Sequence, residues 1–247
     1  MNNPTLIFIP VYNEGKNIHQ LIRQIKNLPY ELDILVIDDG SNDNTKAILR
    51  DMPSMHTIFH SSNKGYGQTL IDGFNYATEK GYDNVITIDS DKQHQPEEIP
   101  LFIDAAESTD ADIISGSRYL KPGREIFMKA PADRVKVNRR ITQKINSLSG
   151  YQLTDTFCGF KLYRVDALKK LQLTEPGYGM PLQLWIQAWK KGLTVREVPV
   201  QLIYFNHSKD AASASANNLC QRYRYYLKII EKEKQPYETS DISRSSR

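Results

Sequence analysis

Short β-branched runs alternate with helical stripes from residue 5 to residue 116, and that alternation restricts the chain to very few folds. Residues 5–9 read TLIFI, 32–37 LDILVI, 56–60 HTIFH, 84–88 NVITI and 111–116 ADIISG. Between the first two runs, Ile18, Leu21, Ile22, Ile25 and Leu28 recur at helical spacing, so a helix with one apolar face is expected there. Leu70, Ile71, Phe74 and Ala77 mark another helix, and SNDNT opens one through Ala47, Ile48 and Leu49, with Ser and Asp as capping residues. Strands that alternate with helices join as βαβ units, which pair in parallel and bury both faces of the sheet under helices. The expectation is an α/β fold, Rossmann-like, with a mostly parallel central sheet flanked by helices.

Past Arg118 the alternation loosens. LKPGREIFMKAPAD reads as a long loop, Ile141, Ile145 and Leu148 as a helix, FKLYR as a strand, and PLQLWIQAWKKG as a helix ended by Gly192. TVREVPVQLIYF gives a last strand and NNLCQRYRYYLKIIEKEK a last helix. The chain has 247 residues, enough for one large domain, and is divided here into a main unit, 1–210, and a C-terminal helix with a polar tail, 211–247. No apolar run reaches the roughly 20 residues that cross a bilayer, and the first residues do not resemble a signal peptide, so a cytoplasmic protein is expected. Cys158 and Cys220 are too few and too far apart for a disulfide framework or a zinc site.

The net charge of +3 gives no case for a nucleic-acid partner. Its distribution is more informative, because Arg118 to Lys144 holds nine basic residues against two acidic ones, Glu125 and Asp133. In open parallel sheets, ligands sit outside the carboxyl ends of the strands. Three such ends are polar, PVYNEGKN, DDGSND and DSDKQHQP, and should converge on one crevice. None carries the glycine pattern that lets backbone cradle a phosphate, so a bound phosphate would need a metal or cationic side chains. Asp89 and Asp91 offer hard oxygen ligands of the kind Mg²⁺ or Mn²⁺ prefers, but they could equally cap the helix that QPEEIP begins.

PVYNEGKNI, VIDDGSNDNT, NKGYGQTLIDGF, DSDKQHQPEEIP, GSRY, TDTFCGFKLYR and EVPV follow one another in this order. Together they resemble a family 2 glycosyltransferase of the GT-A fold, and most closely the dolichyl-phosphate or polyprenyl-phosphate mannosyltransferase group, over about residues 5–204. The resemblance implies that Pro10, Tyr12 and Glu14 line a nucleotide-sugar pocket and that Asp39 contacts the nucleoside. It implies a metal and diphosphate site at Asp89, Ser90, Asp91 and Gln93, with Asp89, Asp91 and Gln93 as ligands of Mg²⁺ or Mn²⁺. Arg118 would bind phosphate, with Arg134 and Arg139 as further clamps, since a guanidinium suits phosphate geometry. Asp38 and His94 are read as structural, and Cys158 as a small buried residue.

The implied reaction moves a sugar from a nucleoside diphosphate sugar to an acceptor with inversion. A lipid phosphate, with a second pKa of about 6, needs little activation at neutral pH. A sugar hydroxyl would need a carboxylate base, for which Asp155 is the candidate, although it could equally hold its own loop by backbone hydrogen bonds. The chain departs from the resembled group at Gln183, where an acidic residue is usual, and at Phe205, where an Arg is usual, although Ser208 and Lys209 are retained. A polyprenyl-phosphate acceptor would be met at the inner face of the membrane. Leu219, Tyr223, Tyr226, Leu227 and Ile230 could form a stripe facing it, or pack on the sheet or on a second subunit of a homo-oligomer. The competing readings are a transferase acting on a soluble saccharide and a receiver-like or nucleotide-binding pseudoenzyme module.

Overall fold

A computed structural model describes residues 4–120, 131–203 and 216–235. Seven strands form one sheet: β1 (Thr5–Val11), β2 (Asp33–Asp38), β3 (His56–Phe59), β4 (Asn84–Thr87), β5 (Ile113–Ser117), β6 (Lys161–Arg164) and β7 (Val195–Pro199). Their order across the sheet is β3-β2-β1-β4-β6-β5-β7. The connecting helices are α1 (Ile18–Lys26), α2 (Thr45–Arg50), α3 (Tyr66–Lys80), α4 (Ile99–Ser108), α5 (Ala132–Ser149), α6 (Val165–Leu168), α7 (Met180–Lys190) and α8 (Ala216–Lys234), with a 3₁₀ turn at Pro96–Glu98 before α4. The expected α/β architecture is present.

The period of a strand explains why helices cover both faces. Successive side chains of β1 point to opposite sides. Leu6 and Phe8 enter one core with Leu35, Phe74, Ile141, Trp185 and Ile230, whereas Ile7 and Ile9 enter a second with Ile22, Val36, Ile86 and Phe102. Residues 6–9 of β1 are fully shielded from water, as an apolar run without polar alternation requires.

The chain winds from β1 to β2 and β3 on one side, then returns to place β4 on the other side of β1. A crevice opens where the winding reverses. β6 is the exception to the parallel rule: it runs antiparallel to both β4 and β5, pairing Thr87 with Lys161 and Ser115 with Lys161. Its amino end therefore lies at the edge where β1, β4 and β5 finish.

α8 packs on α7 and α5 and supplies Tyr226, Ile229 and Ile230 to the first core. Of its apolar stripe, Tyr226 and Ile230 are buried inside the protein and Tyr223 and Leu227 are partly buried against the same core, whereas Leu219 lines the cleft described below. The 210/211 boundary lies outside the described residues. Among the described residues no helix is long and apolar enough to cross a membrane.

Candidate active site

The polar loops after β1, β2 and β4 interlock at the crevice. Asn13 and Glu14 donate backbone N–H groups to Ser41 Oγ (2.8 Å) and Thr45 Oγ1 (2.9 Å), and Asn42 donates to Asn13 Oδ1 (2.8 Å). Asp43 accepts from Gly15 and Thr45, which ties the loop after β1 to the start of α2. Ser90 Oγ donates to the carbonyl of Pro10 (3.2 Å), joining the ends of β1 and β4. Over these loops lies a cleft of about 420 Å³, lined among others by Pro10, Tyr12, Glu14, Ser90 and Gln93.

Asp89 and Asp91 stand in this cleft. Asp91 Oδ1 accepts from the N–H of Gln93 (3.0 Å), and no side chain caps the 3₁₀ turn that follows, so the capping alternative does not describe them. Tyr66 donates its hydroxyl to Asp89 Oδ1 (3.1 Å). Gly159 presses from below: a Cβ there would lie 2.1 Å from Asp89 Oδ2, so only glycine leaves the carboxylate its place. His94 is buried, and burial pushes its pKa down to about 4, so the ring is neutral and its Nδ1 accepts the N–H of Asp89 at 3.2 Å. Desolvation raises the pKa of both aspartates, and the neighbouring Asp89 charge raises Asp91 further.

The same cleft is also cationic. Arg118, Arg134, Lys161 and Arg222 line it together with Asn138 and Tyr119, and the charges of Lys161 and Arg118 act on Asp89. Arg118 sits just past the end of β5 and Arg134 on the first turn of α5. Lys161 is brought in by the reversed direction of β6; its ammonium donates to the carbonyl of Cys158 and lies 5.6 Å from the centre of the Trp185 ring. Burial lowers its pKa. Cys158 is buried, with its thiol pushed up to about 11.

Several expected site residues take other positions. Asp155 is fully buried behind the cleft, where its carboxylate accepts from Arg118 Nε (2.7 Å), Arg118 Nη2 (3.0 Å), Asn138 Nδ2 (2.7 Å) and the N–H of Phe157 (3.2 Å). Burial raises its pKa, but the Arg118 charge and these donors outweigh burial and hold it below the usual value. A carboxylate so occupied, and absent from the cleft wall, is placed to hold Arg118 and not to take a proton from an acceptor. Asp39 is likewise buried, accepting from the N–H groups of Lys64 (2.8 Å) and Gly65 (2.9 Å) and lying 2.7 Å from His60 Nδ1. It organises the turn into α3 and does not line the cleft. Asp38 is buried and accepts from the N–H of Ser41. Arg139 is exposed, away from the lining.

Gln183 is buried and structural, accepting from the N–H groups of Thr174 and Glu175 and donating to Glu233 of α8 (2.7 Å). Phe205, Ser208, Lys209 and residues 121–130 of the cationic segment lie outside the described residues. Sequence reasoning missed Tyr66, Asn138, Gly159 and Lys161. Tyr66 lies in NKGYGQTLIDGF and Gly159 and Lys161 lie in TDTFCGFKLYR, two of the motifs that carry the resemblance, and Lys161 was also signalled as a charged residue at the head of an apolar strand; only Asn138 had no signal.

A divalent cation fits the acidic residues by the chemistry of their donors. Among the described residues no three His, Cys, Asp or Glu side chains cluster closely enough to hold a metal alone. Two carboxylates and the Gln93 amide are nonetheless hard oxygen donors, and Mg²⁺ takes only one or two protein carboxylates when a bound phosphate supplies the rest.

Residues 6–172 match the model of glycosyl transferase family 2. The chain is 29% identical to the undecaprenyl-phosphate mannosyltransferase of Micrococcus luteus, over 80% of this chain and 83% of that one. It is 31% identical to the UDP-N-acetylglucosamine–dolichyl-phosphate N-acetylglucosaminyltransferase of Methanococcus voltae, over 91% of this chain and 94% of that one. Among solved structures, glucosyl-3-phosphoglycerate synthase from Mycobacterium tuberculosis in complex with Mn²⁺, UDP and glucosyl-3-phosphoglycerate superposes with a TM-score of 0.70. That match has 17% identity over 94% of this chain and 80% of the other, a likeness of fold.

Proposed function

The chain belongs to glycosyl transferase family 2 and is a glycosyltransferase of the GT-A fold, and we propose that it moves a hexose from a nucleoside diphosphate sugar to a polyprenyl phosphate, with inversion. One observation carries this reading: the cleft brings together charges of both signs from different elements. Its lining carboxylates, Glu14, Asp89 and Asp91, follow β1 and β4, whereas its cations, Arg118, Arg134, Lys161 and Arg222, come from the β5, β6, α5 and α8 side. A donor diphosphate bound through a divalent ion suits the carboxylates, and an anionic acceptor suits the cations. The names of the relatives that act on undecaprenyl and dolichyl phosphate support the same choice.

On this reading Pro10, Tyr12 and Glu14 receive the nucleotide, and Asp39 acts at one remove by shaping the turn into α3. Asp89, Asp91 and Gln93 would hold Mg²⁺ or Mn²⁺. When bound, the ion supplies Lewis-acid stabilisation of the negative charge on the departing diphosphate. Arg118, kept planar against Asp155, and Arg134 grip the acceptor phosphate and aim one of its oxygens at the anomeric carbon. A phosphate monoester with a second pKa of about 6 is already an effective nucleophile at neutral pH, so the saturated state of Asp155 is no obstacle. Such an acceptor would be met at a membrane surface.

The test is transfer of labelled sugar from GDP-mannose, UDP-glucose or UDP-N-acetylglucosamine to undecaprenyl phosphate in detergent, beside soluble saccharide acceptors. Label should enter the organic phase with one donor, and EDTA or Asp91→Ala should abolish the transfer. Label appearing only on soluble saccharides would overturn the acceptor assignment.

A further inference from the structure

We infer that Tyr66 is a positioning residue for the Asp89 carboxylate, fixed in place by stacking on Tyr178 of the 172–179 loop. The inference rests on the proposed cation site at Asp89, Asp91 and Gln93.

Tyr66 is the first residue of α3, and its hydroxyl donates to Asp89 Oδ1 at 3.1 Å. An ordinary phenol keeps its proton at neutral pH, so the hydroxyl acts as the donor to the carboxylate. Its ring lies nearly parallel to that of Tyr178, with centroids 5.6 Å apart and planes 15° from each other. The contact is possible because the start of α3 approaches the loop closely. A Cβ at Gly67 would stand 2.2 Å from the carbonyl oxygen of Glu175, and Gln68 donates its N–H to the carbonyl of Pro176 (3.0 Å).

The loop itself is held from behind. Gln183 of α7 accepts from the N–H groups of Thr174 (2.7 Å) and Glu175 (2.8 Å), and Tyr225 of α8 donates to Glu175 Oε1 (2.5 Å). Both faces of the Asp89 carboxylate are thus determined: Gly159 sets how far it can retreat, and the Tyr66 hydroxyl sets its rotation. A metal-binding carboxylate gains affinity when a second partner fixes its orientation, and loss of such partners typically weakens metal binding about 10- to 100-fold.

The experiment measures binding of GDP and of UDP by calorimetry, in Mn²⁺ and in EDTA, for the wild type, Asp89→Asn, Tyr66→Phe and Tyr178→Ala. Tyr66→Phe keeps the ring and its stacking and removes only the hydroxyl. Mn²⁺ should tighten nucleotide binding in the wild type and have no effect in Asp89→Asn. In Tyr66→Phe the Mn²⁺ effect should shrink by about tenfold or more, with affinity in EDTA and melting temperature unchanged, and Tyr178→Ala should fall between. An Mn²⁺ effect intact in Tyr66→Phe but lost in Asp89→Asn overturns the role of Tyr66 alone. No Mn²⁺ effect in the wild type overturns the cation site and this inference with it. Loss of affinity in EDTA for Tyr66→Phe also overturns it, because the hydroxyl would then be shaping the whole cleft.

Discussion

Asp155 holds Arg118 by two side-by-side hydrogen bonds, from Nε to Oδ2 at 2.7 Å and from Nη2 to Oδ1 at 3.0 Å, across 37 residues of sequence. This paired geometry fixes the plane of the guanidinium as well as its position. The pair lies where the wall of the cleft meets the core, with Asp155 wholly inside.

Asp155→Asn keeps the shape of the side chain but turns an acceptor of the guanidinium into a donor and leaves a poorly paired charge. It should cost about 3 kcal/mol of stability, in line with the breaking of other buried ion pairs. Acceptor KM should rise more than tenfold, while Mn²⁺-dependent nucleotide binding persists. Calorimetry and steady-state kinetics on the same preparation check this, and loss of nucleotide binding with unchanged acceptor KM would contradict it.

The same pair predicts a pH dependence. The folded-state pKa of Asp155 is depressed, because Arg118 and the donors around it outweigh burial. Its contribution is therefore complete above the unfolded-state value of about 3.9 and is lost as pH falls through the lower folded-state value. The difference in melting temperature between wild type and Asp155→Asn should be constant from neutral pH down to about 4.5 and shrink below that. A difference that grows on acidification would have the wrong sign.

Gly159→Ala should fold and yet lose the cation response. The new methyl would crowd Asp89 Oδ2, 2.1 Å away, and a carboxylate can swing aside at less cost than the backbone leading into β6 can move. Far-ultraviolet circular dichroism should be unchanged and nucleotide affinity in EDTA retained, with the Mn²⁺ enhancement gone. A full Mn²⁺ response in this variant would show that Asp89 does not need its present orientation.

The two cysteines should react in sequence with a disulfide reagent at pH 8. Cys220 is exposed, whereas Cys158 is buried with a pKa near 11, so one thiol should titrate quickly in the native protein and the second only after denaturant. Two fast thiols would mean that the floor of the cleft opens to solvent.

The residues that were legible in the sequence are those whose reason for being there is local. The strands and α1 follow from the spacing of apolar side chains, and Asp89, Asp91 and Gln93 lie within five residues of one another at a predicted strand end. What escaped depends on pairing between distant segments. The direction of β6 cannot be read from FKLYR, yet it brings Gly159 and Lys161 to the cleft. The partners of Asp155 were hidden for the same reason: a lone aspartate in TDTFCGF can be read as a base or as a structural group until Arg118 and Asn138 are seen to close around it. Asp39 shows the same limit, since the N–H groups it accepts from belong to Lys64 and Gly65.

The cleft draws its opposite charges from separate stretches of chain. The lining carboxylates, Glu14, Asp89 and Asp91, all precede residue 95, and the lining cations, Arg118, Arg134, Lys161 and Arg222, all follow residue 117. On the proposed reading, such an ordering would let the residues that meet the recipient drift while those that meet the sugar supplier are kept, provided that a graft of the later stretch retains Gly159 and Tyr178, which hold Asp89 and Tyr66 in place.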